Sequence, residues 1–474
     1  MSDAQPHYAT LLDTAEAIRT RAVSPVELTE VLLARIDRLE PDLRAFATVT
    51  PELALVQAKA AEAEIAGGRY RGPLHGVPIA VKDIYDTAGI RTSAGMPVHA
   101  DRVPDTDATV VTRLADAGAV LLGKLQLTEG VFAEHHPTVT PPRNPWHPDY
   151  WSGASSSGAG VAVAAGLCFA ALGSDTGGSI RFPALANGVT GLKPTWGRVS
   201  RHGAFALAAS LDHVGPMTRS AADAGAVLGA IAGLDPRDPT SLAAPVPDYL
   251  AGIGTGPGAG LGGLRIGVDA RYNEVGSDPA TVAMVRAAGQ VLAGLGAVLR
   301  EVTIPDPAPV AAAWATYTGV ETAIAHESTY PARAGEYSPP ERPGAVAGLI
   351  ELGRATSAVE LMRAHHARLA FSGALATLFT DIDLLLIPTQ PIVNFTVARK
   401  DELYAAPDEL AALLRFVTPF DMSGSPTITL PGGFHDGLPL AFQLVGRHLD
   451  EALLVRAGDA YQRATDWHTR HPAR

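Results

Sequence analysis

The sequence predicts an α/β protein, and two observations carry this prediction. Residues 76–83, GVPIAVKD, form a short apolar run typical of a buried strand, and residues 120–124, VLLGK, form a second one. The residues between them, 110–117, have the pattern of a helix that leads directly into the second run. A strand–helix–strand order of this kind is the repeating unit of an α/β sheet.

Helices are predicted at the N-terminus, over residues 8–40 and 52–67. Ser24 precedes Pro25 and Glu27, so we expect Ser24 to cap a helix whose first position is the proline. The second helix is expected to end at the glycine pair 67–68, because glycine readily adopts the backbone conformation that ends a helix.

The middle of the chain combines small and apolar residues. A Gly/Ser/Ala stretch over 153–166 leads into the apolar run 161–172, which we interpret as a buried helix. That run is too short to cross a bilayer, which needs ~20 residues. Residues 170–174 predict a strand, and a helix is expected to begin at Ile180.

The C-terminal half begins with a glycine-rich loop, AGIGTGPGAGLGG, over residues 251–263. The elements predicted after it are a strand over 264–268, a helix over 278–300, strands over 380–388 and 426–431, and a helix over 452–465. The loop and the proline-rich segment 329–343 are possible hinges. Neither is long enough to link independent domains, so we expect one domain over 1–474.

Composition excludes several classes of function. Of the 474 residues, 37 are Lys or Arg and 49 are Asp or Glu, which gives a net charge of −12 and argues against nucleic acid as the main partner. The single cysteine, Cys168, allows neither an internal disulfide nor a four-ligand zinc site. The N-terminus has no basic segment followed by an apolar one, so we expect a cytoplasmic protein that does not associate with a membrane.

The segment GSDTGGSIRFPA, residues 173–184, contains a candidate nucleophile, Ser179. A nucleophilic serine needs a base and N–H donors aimed at the developing oxyanion. Gly177 and Gly178 precede it and let the backbone approach a ligand closely. Taken alone, a Gly-Gly-Ser sequence is more typical of a plain turn than of a nucleophile.

Two further segments supply partners for such a serine. The serines of SGASSSG, residues 152–158, lead directly into a buried helix, where unpaired hydroxyl groups would be costly, so we expect an ordered polar turn. Lys82 closes the apolar run 77–81. Its ammonium group either extends to solvent or is desolvated, and a desolvated lysine has a lowered pKa and can act as a base.

Together these segments resemble the amidase signature family. The resemblance rests on GPLHGVPIAVKD (72–83), SGASSSGAG (152–160), GSDTGGSIRFPA (173–184), GLKPTWGRVSRHG (191–203) and, near the C-terminus, GLPLAFQLVGRHLDE (437–451). It implies a central mixed β-sheet covered by helices on both faces. It also implies a core over about 70–235, a variable specificity segment over about 240–380, and a C-terminal segment over about 380–474 that completes the core.

The resemblance implies a Ser–cis-Ser–Lys triad of Ser179 as nucleophile, Ser155 as bridging serine and Lys82 as base. The family's cis peptide bond corresponds to Ala154–Ser155. The oxyanion would be held by the N–H groups of the nucleophile loop. These oxyanion donors are Thr176, Gly177, Gly178 and Ser179 itself. Such a triad requires neither a metal nor a cofactor.

The sequence departs from the commoner family motif at Ala154 and Ser157, where glycines are usual. We retain Ser155 as the bridge because its spacing to Ser179 fits the family. Three residues are predicted to support the loop by hydrogen bonds, namely Ser156, Asp175 and Arg181. Three residues in or beside the proline-rich loop 137–148 are predicted to line the substrate, namely His136, Trp146 and Trp151.

Two other patterns are discounted. Residues 258–263 fit G-x-G-x-x-G, but they precede a predicted strand, whereas a nucleotide-binding loop follows one. The histidine pairs 135–136 and 365–366 do not indicate a metal site, because adjacent side chains project in different directions.

The leading functional hypothesis is a hydrolase of small or aryl carboxamides, with anilides, esters and carbamates (urethanes) as further substrates. Residues 191–216 also resemble the glutamine-hydrolysing component of a tRNA-dependent amidotransferase. A glutamine pocket would need paired charges, for which Arg333, Glu336 and Arg354 are available. A binding protein with an inactive site is disfavoured because the triad positions are intact, and a homodimer is the default expectation.

Overall fold

The computed structural model describes residues 6–255 and 260–474. Within these ranges the strands are β1 (Phe46–Val49), β2 (Pro78–Lys82), β3 (Val120–Leu125), β4 (Ala170–Asp175), β5 (Thr190–Lys193), β6 (His213–Thr218), β7 (Arg265–Val268), β8 (Val298–Glu301), β9 (Leu384–Pro388), β10 (Thr427–His435) and β11 (Leu438–Gly446). They form one sheet in the order β1-β3-β2-β4-β6-β5-β10-β11-β9-β7-β8.

Helices flank this sheet. Within the described residues they are α1 (Leu11–Arg19), α2 (Pro25–Leu43), α3 (Pro51–Ala66), α4 (Thr109–Asp116), α5 (Ser157–Ala164), α6 (Arg181–Asn187), α7 (Ala221–Ile231), α8 (Ala270–Glu274), α9 (Pro279–Gly294), α10 (Ala308–Ala325), α11 (Val346–Ala355), α12 (Ala358–Leu378), α13 (Val397–Ala405), α14 (Pro407–Leu414), α15 (Thr418–Met422) and α16 (Glu451–Arg463). In the described part of the chain, none of them combines the length and the apolar character that a membrane span requires.

The sheet is mixed, as predicted. β2 lies between β3 and β4 and is parallel to both, whereas the six strands from β4 to β9 in the sheet order pair antiparallel. β7 returns to parallel pairing with β9 and β8. Since parallel neighbours end at the same edge, the C-terminal ends of β2 and β4 lie close together, with Val81 opposite Leu172. This edge is where ligands bind in many α/β sheets.

The predicted N-terminal helices are confirmed. Ser24 caps α2, and its Oγ accepts hydrogen bonds from the N–H groups of Val26 and Glu27 at 3.1 and 3.2 Å. Gly67 is the C-cap of α3. The predicted strand–helix–strand unit is present as β2, α4 and β3.

Two predicted helices are wrong in part. The buried run 161–172 is not one helix, because α5 ends at Ala164, Gly166 turns the chain with a φ of 65°, and the central strand β4 begins at Ala170. The helix predicted over 278–300 ends at Gly294. The end of the predicted range instead belongs to the strand β8, which begins at Val298. The prediction for the run 161–172 is wrong because a helix and a strand that are both buried on all sides show the same uninterrupted apolar sequence. The sequence pattern therefore does not reveal where the helix ends and the strand begins. The glycine-rich loop over 251–263 and the G-x-G-x-x-G pattern over 258–263 include residues 256–259, which lie outside the described residues.

Candidate active site

Lys82 is the last residue of β2, and its side chain is completely buried. Its Nζ donates hydrogen bonds to Ser155 Oγ at 2.7 Å and to Ser174 Oγ at 2.9 Å. Burial lowers the pKa of Lys82 to about 7, although the nearby carboxylates Asp212 and Asp175 act in the opposite direction. Of the two alternatives left by the sequence, the desolvated lysine is therefore the one observed, and a large share of it is neutral near pH 7.

The three consecutive serines form the ordered polar turn that the sequence predicts. The peptide bond between Ala154 and Ser155 is cis, as the family resemblance implies. All three serine side chains are buried. The hydroxyl groups of Ser155, Ser156 and Ser157 contact the side chain of Lys82, the backbone of Ser174 and the ring of His135, respectively. Every hydroxyl in this turn thus has a polar partner, which offsets the cost of burying it.

Ser179 lies between β4 and α6 and lines a cavity of about 120 Å³, which we call the inner cavity. Ala154 lines the same cavity, and the N–H of Ser156 donates to the Ser179 carbonyl at 3.3 Å. These contacts join the serine turn to the loop of the candidate nucleophile. Ser179 is therefore open to the cavity, whereas Lys82 and Ser155 are completely buried.

The N–H groups of the loop around Ser179 differ in whether they already make a hydrogen bond within the protein. The N–H of Gly178 donates to Asp175 Oδ1 at 2.6 Å, so in this structure it is not free to hold an oxyanion, which corrects the expectation for this residue. No hydrogen bond within the described residues occupies the N–H groups of Thr176, Gly177 and Ser179. Gly177 and Ser179 also line the inner cavity, so of these three free N–H groups two belong to residues of the cavity wall.

Trp314, on α10, holds the same loop from the other side. Its Nε1 donates to the Thr176 carbonyl at 2.7 Å. A Cβ atom at position 177 would lie 2.5 Å from Cζ2 of the indole, so only glycine fits between the loop and this ring. The carbonyl of Thr176 and the N–H of Gly177 belong to one planar peptide unit, so the indole orients that N–H.

Asp175 and Arg181 support the loop as predicted, and neither lines the inner cavity. Asp175 Oδ1 accepts from Arg181 Nη2 at 2.9 Å, and Arg181 Nη2 also donates to Asp421 Oδ2 at 2.5 Å. All three side chains are completely buried. Burial alone would raise the pKa of Asp175, but Arg181 holds it far below its usual range, so the carboxylate remains charged.

The three residues predicted to line the substrate lie elsewhere. His136 Nδ1 contacts the Thr138 hydroxyl, Trp146 Nε1 donates to the Asn187 carbonyl, and Trp151 stacks on Phe395. The aromatic residues that line the inner cavity are Phe132, Phe182, Trp314 and Tyr404. Its remaining large side chains are leucines and a valine, namely Val131, Leu207, Leu410, Leu413 and Leu414.

Sequence reasoning missed Ser174 and Trp314. Ser174 lies in the segment GSDTGGSIRFPA, residues 173–184. Its position at the end of a predicted strand could have identified it as a residue of the site. Trp314 lies in the segment where the family resemblance is weakest. The available signal was the presence of an aromatic residue in an alanine-rich stretch. Within the described residues, no three His, Cys, Asp or Glu side chains are grouped so as to hold a metal ion.

The model of the Amidase family matches residues 27–455 of this chain. The protein AmiD of Mycobacterium tuberculosis is 48% identical over 464 residues, which cover 98% of this chain and 95% of that protein. The A component of the glutamyl-tRNA(Gln) amidotransferase of Chloroflexus aurantiacus is 40% identical, with 98% of each chain covered. The structure of native peptide amidase from Stenotrophomonas maltophilia superposes with a TM-score of 0.83 at 30% identity and covers 98% of both chains.

Proposed function

The chain belongs to the Amidase family, and on that premise we propose that it hydrolyses the C–N bond of apolar, aryl-bearing carboxamides through an acyl-enzyme on Ser179. It is thus an amidase-signature hydrolase, and the proposal concerns its substrate and its mechanism. The proposed enzyme acts without partner proteins. Anilides and aryl carbamates, which are cleaved by the same acylation step, belong to the proposed range.

The observation that carries this proposal is the lining of the inner cavity. The side chains around Ser179 are aromatic or aliphatic, and within residues 6–255 and 260–474 no charged residue lines the cavity. A pocket for free glutamine would need charged groups to hold the α-amino and α-carboxylate groups. The lining therefore favours an apolar amide over glutamine.

The second candidate function is that of the glutamine-hydrolysing component of an amidotransferase. The 40% identity to such a component over nearly the whole chain favours it. The charged residues suggested for a glutamine pocket do not support it. Arg333 and Glu336 pair with each other at 2.6 Å on the exposed surface, and neither they nor Arg354 line the inner cavity.

The proposed mechanism begins with neutral Lys82. Its Nζ accepts the proton of the Ser155 hydroxyl along the 2.7 Å contact, and Ser155 in turn accepts the proton of Ser179. Ser179 Oγ then forms a bond to the amide carbon, and the electron pair of the C=O bond moves to the oxygen. The N–H groups of Gly177 and Ser179 stabilise that oxyanion.

Collapse of this intermediate breaks the C–N bond. The proton held by Lys82 returns through Ser155 to the leaving nitrogen, which departs as the free amine. Water then adds to the acyl-enzyme by the same proton route and releases the carboxylic acid and Ser179. The buried position of Lys82 suits this relay, because burial keeps its pKa close to the working pH.

The pH dependence of kcat/KM tests the role of Lys82. Because the base must be neutral and its pKa is about 7, we expect kcat/KM to rise with pH and level off above about pH 8. Below the pKa, the rate should fall about tenfold per pH unit. An uncharged anilide is the substrate of choice, since it does not titrate in this range. A flat profile between pH 5 and 8 would contradict neutral Lys82 as the base.

Replacement of Trp314 by phenylalanine tests the oxyanion donor. The change keeps an aromatic wall but removes the hydrogen bond to the Thr176 carbonyl, so the Gly177 N–H is less well oriented. We expect kcat to fall about fivefold, since a hydrogen bond of this kind contributes ~1 kcal/mol. The matched control is Trp196→Phe, whose indole donates to the Ala209 carbonyl, away from the cavity, and which should keep its kcat. Equal losses in both variants would argue against a specific role.

The experiment that decides between the two functions is a hydrolysis panel with the purified protein alone. It comprises glutamine, a short aliphatic amide, an anilide and an aryl carbamate. Release of aniline from the anilide or the carbamate would support the proposed amidase. Hydrolysis of glutamine alone, or activity that appears only with partner proteins and tRNA, would favour the amidotransferase component.

A further inference from the structure

We propose that a second cavity, between α10, residues 340–345 and α14, binds the apolar extension of the amide substrate whose carbonyl lies at Ser179. We call it the outer cavity. The inference rests on the proposed function and narrows its substrate class. The substrate would be an amide that carries a long alkyl or aryl group, rather than a single ring or a short chain.

The outer cavity adjoins the inner one. The residues that line both cavities are Phe132, Trp314, Gly344, Leu410 and Leu414. The inner cavity has a volume of about 120 Å³ and the outer one a volume of about 670 Å³. The inner cavity thus accommodates a small part of a ligand beside Ser179, and the outer one has the size of a typical ligand pocket.

The walls of the outer cavity are apolar, and its α10 face is built from small side chains. Four alanines of α10 line it, namely Ala308, Ala311, Ala312 and Ala315, and they flank Trp314. Leu349 and Leu352 of α11 also line it. Alanine leaves room where a larger residue would fill the groove, so an alkyl or aryl group can be buried there.

The charged residues at the rim do not impose a charged ligand. Arg342 is paired with Glu134 at 3.3 Å and donates to the His135 carbonyl. Arg415 donates to Ser277 Oγ at 3.1 Å and lies over the ring of Phe416. The third charged residue of the lining, Glu341, is exposed to solvent. Arg342 is thus paired and Glu341 is solvated, while Arg415 has a hydroxyl partner and packs on an aromatic ring, so none of the three requires a charged ligand.

The inference predicts that affinity and rate increase with the length of the substrate. Each methylene group that is buried is expected to raise kcat/KM about fourfold until the outer cavity is full. Two series of compounds measure this: benzamides with a 4-alkyl chain on the acyl ring, and anilides with the chain on the amine ring, each from no chain to octyl. An increase in either series supports the subsite and shows which end of the amide it holds.

Ala311→Trp fills the outer cavity without touching the inner one, because Ala311 lines only the former. We expect at least a tenfold loss of kcat/KM for the octyl compound and an unchanged value for the unsubstituted one. The matched control is Ala325→Trp, at the far end of the same helix, half-buried and remote from both cavities, which should change neither value.

A binding measurement tests the outer cavity independently of the proposed catalytic function. The Kd of 4-octylbenzamide is measured for Ser179→Ala with and without Ala311→Trp, which requires no catalysis. Tight binding that Ala311→Trp weakens tenfold supports the subsite even if the hydrolysis panel favours another reaction. An affinity that does not depend on chain length, or equal losses of short and long compounds in Ala311→Trp, would overturn the inference.

Discussion

Ser179→Ala is expected to lower kcat for amide hydrolysis by at least about 10⁴-fold, because no acyl-enzyme can form without the attacking oxygen. The side chain shrinks by one oxygen atom at the edge of a cavity, so the fold and the affinity for an amide should be nearly unchanged. Kinetics on the anilide, together with a binding measurement, check both parts of this expectation.

The matched control is Ser152→Ala, a buried serine of the segment 152–158 whose Oγ donates to the Pro142 carbonyl at 2.9 Å and takes no part in the proposed relay. It should keep most of its activity. A fluorophosphonate probe, which reacts with activated serines, should add its mass to Ser179 in the wild type and to no residue in Ser179→Ala. Labelling of another serine, or substantial hydrolysis by the variant, would refute Ser179 as the nucleophile.

Arg181→Leu is expected to reduce the free energy of unfolding by about 3–5 kcal/mol, because it leaves the charged carboxylate of Asp175 buried without its cation and removes the hydrogen bond to Asp421. The pKa of Asp175 lies below its usual range because of this arginine, so the loss should be largest at neutral pH, where the carboxylate is charged. It should diminish at acid pH, as the carboxylates become protonated. Urea unfolding followed by circular dichroism at both pH values measures the effect.

Arg19→Leu is the control for this substitution, because Arg19 pairs with Glu16 on the surface, where both side chains are more than half exposed. An exposed ion pair contributes ~0–1 kcal/mol to the free energy of unfolding, so Arg19→Leu should change stability by no more than that. The double variant Arg181→Leu, Asp421→Asn should reduce the free energy of unfolding by less than the sum of the single changes, because both substitutions remove the same buried contact. A loss below about 1 kcal/mol in Arg181→Leu would show that the carboxylates find other partners.

Local signals in the sequence predicted much of the fold and part of the candidate site. The cap at Ser24 and the strands around Lys82 follow from turn chemistry and apolar runs, which act over a few neighbouring residues. The contact between Lys82 and Ser155 joins residues 73 positions apart. Only the resemblance to a family, and not residue chemistry alone, brought these two together.

The rest depends on contacts that no local pattern contains. The run 161–172 is apolar throughout because it lies in the middle of the protein, and this burial hides the boundary between α5 and β4. Trp314 reaches the loop of Ser179 from a segment more than 130 residues further along the chain. The hydrogen bond from Gly178 to Asp175 depends on the path of the backbone, which the letters GSDTGGS do not reveal.

The position of Trp314 among four alanines has a consequence for attempts to redesign this protein. One helix, α10, carries both the hydrogen bond to the loop of Ser179 and the small residues of the outer cavity. A mutant library that varies the alanines and keeps the tryptophan would change the outer cavity while leaving the hydrogen bond to the Thr176 carbonyl in place. Randomising the four alanines together with Trp314 would also remove the hydrogen bond to the loop of Ser179. Most members of such a library would then lose catalytic turnover as well as substrate selectivity and would be inactive.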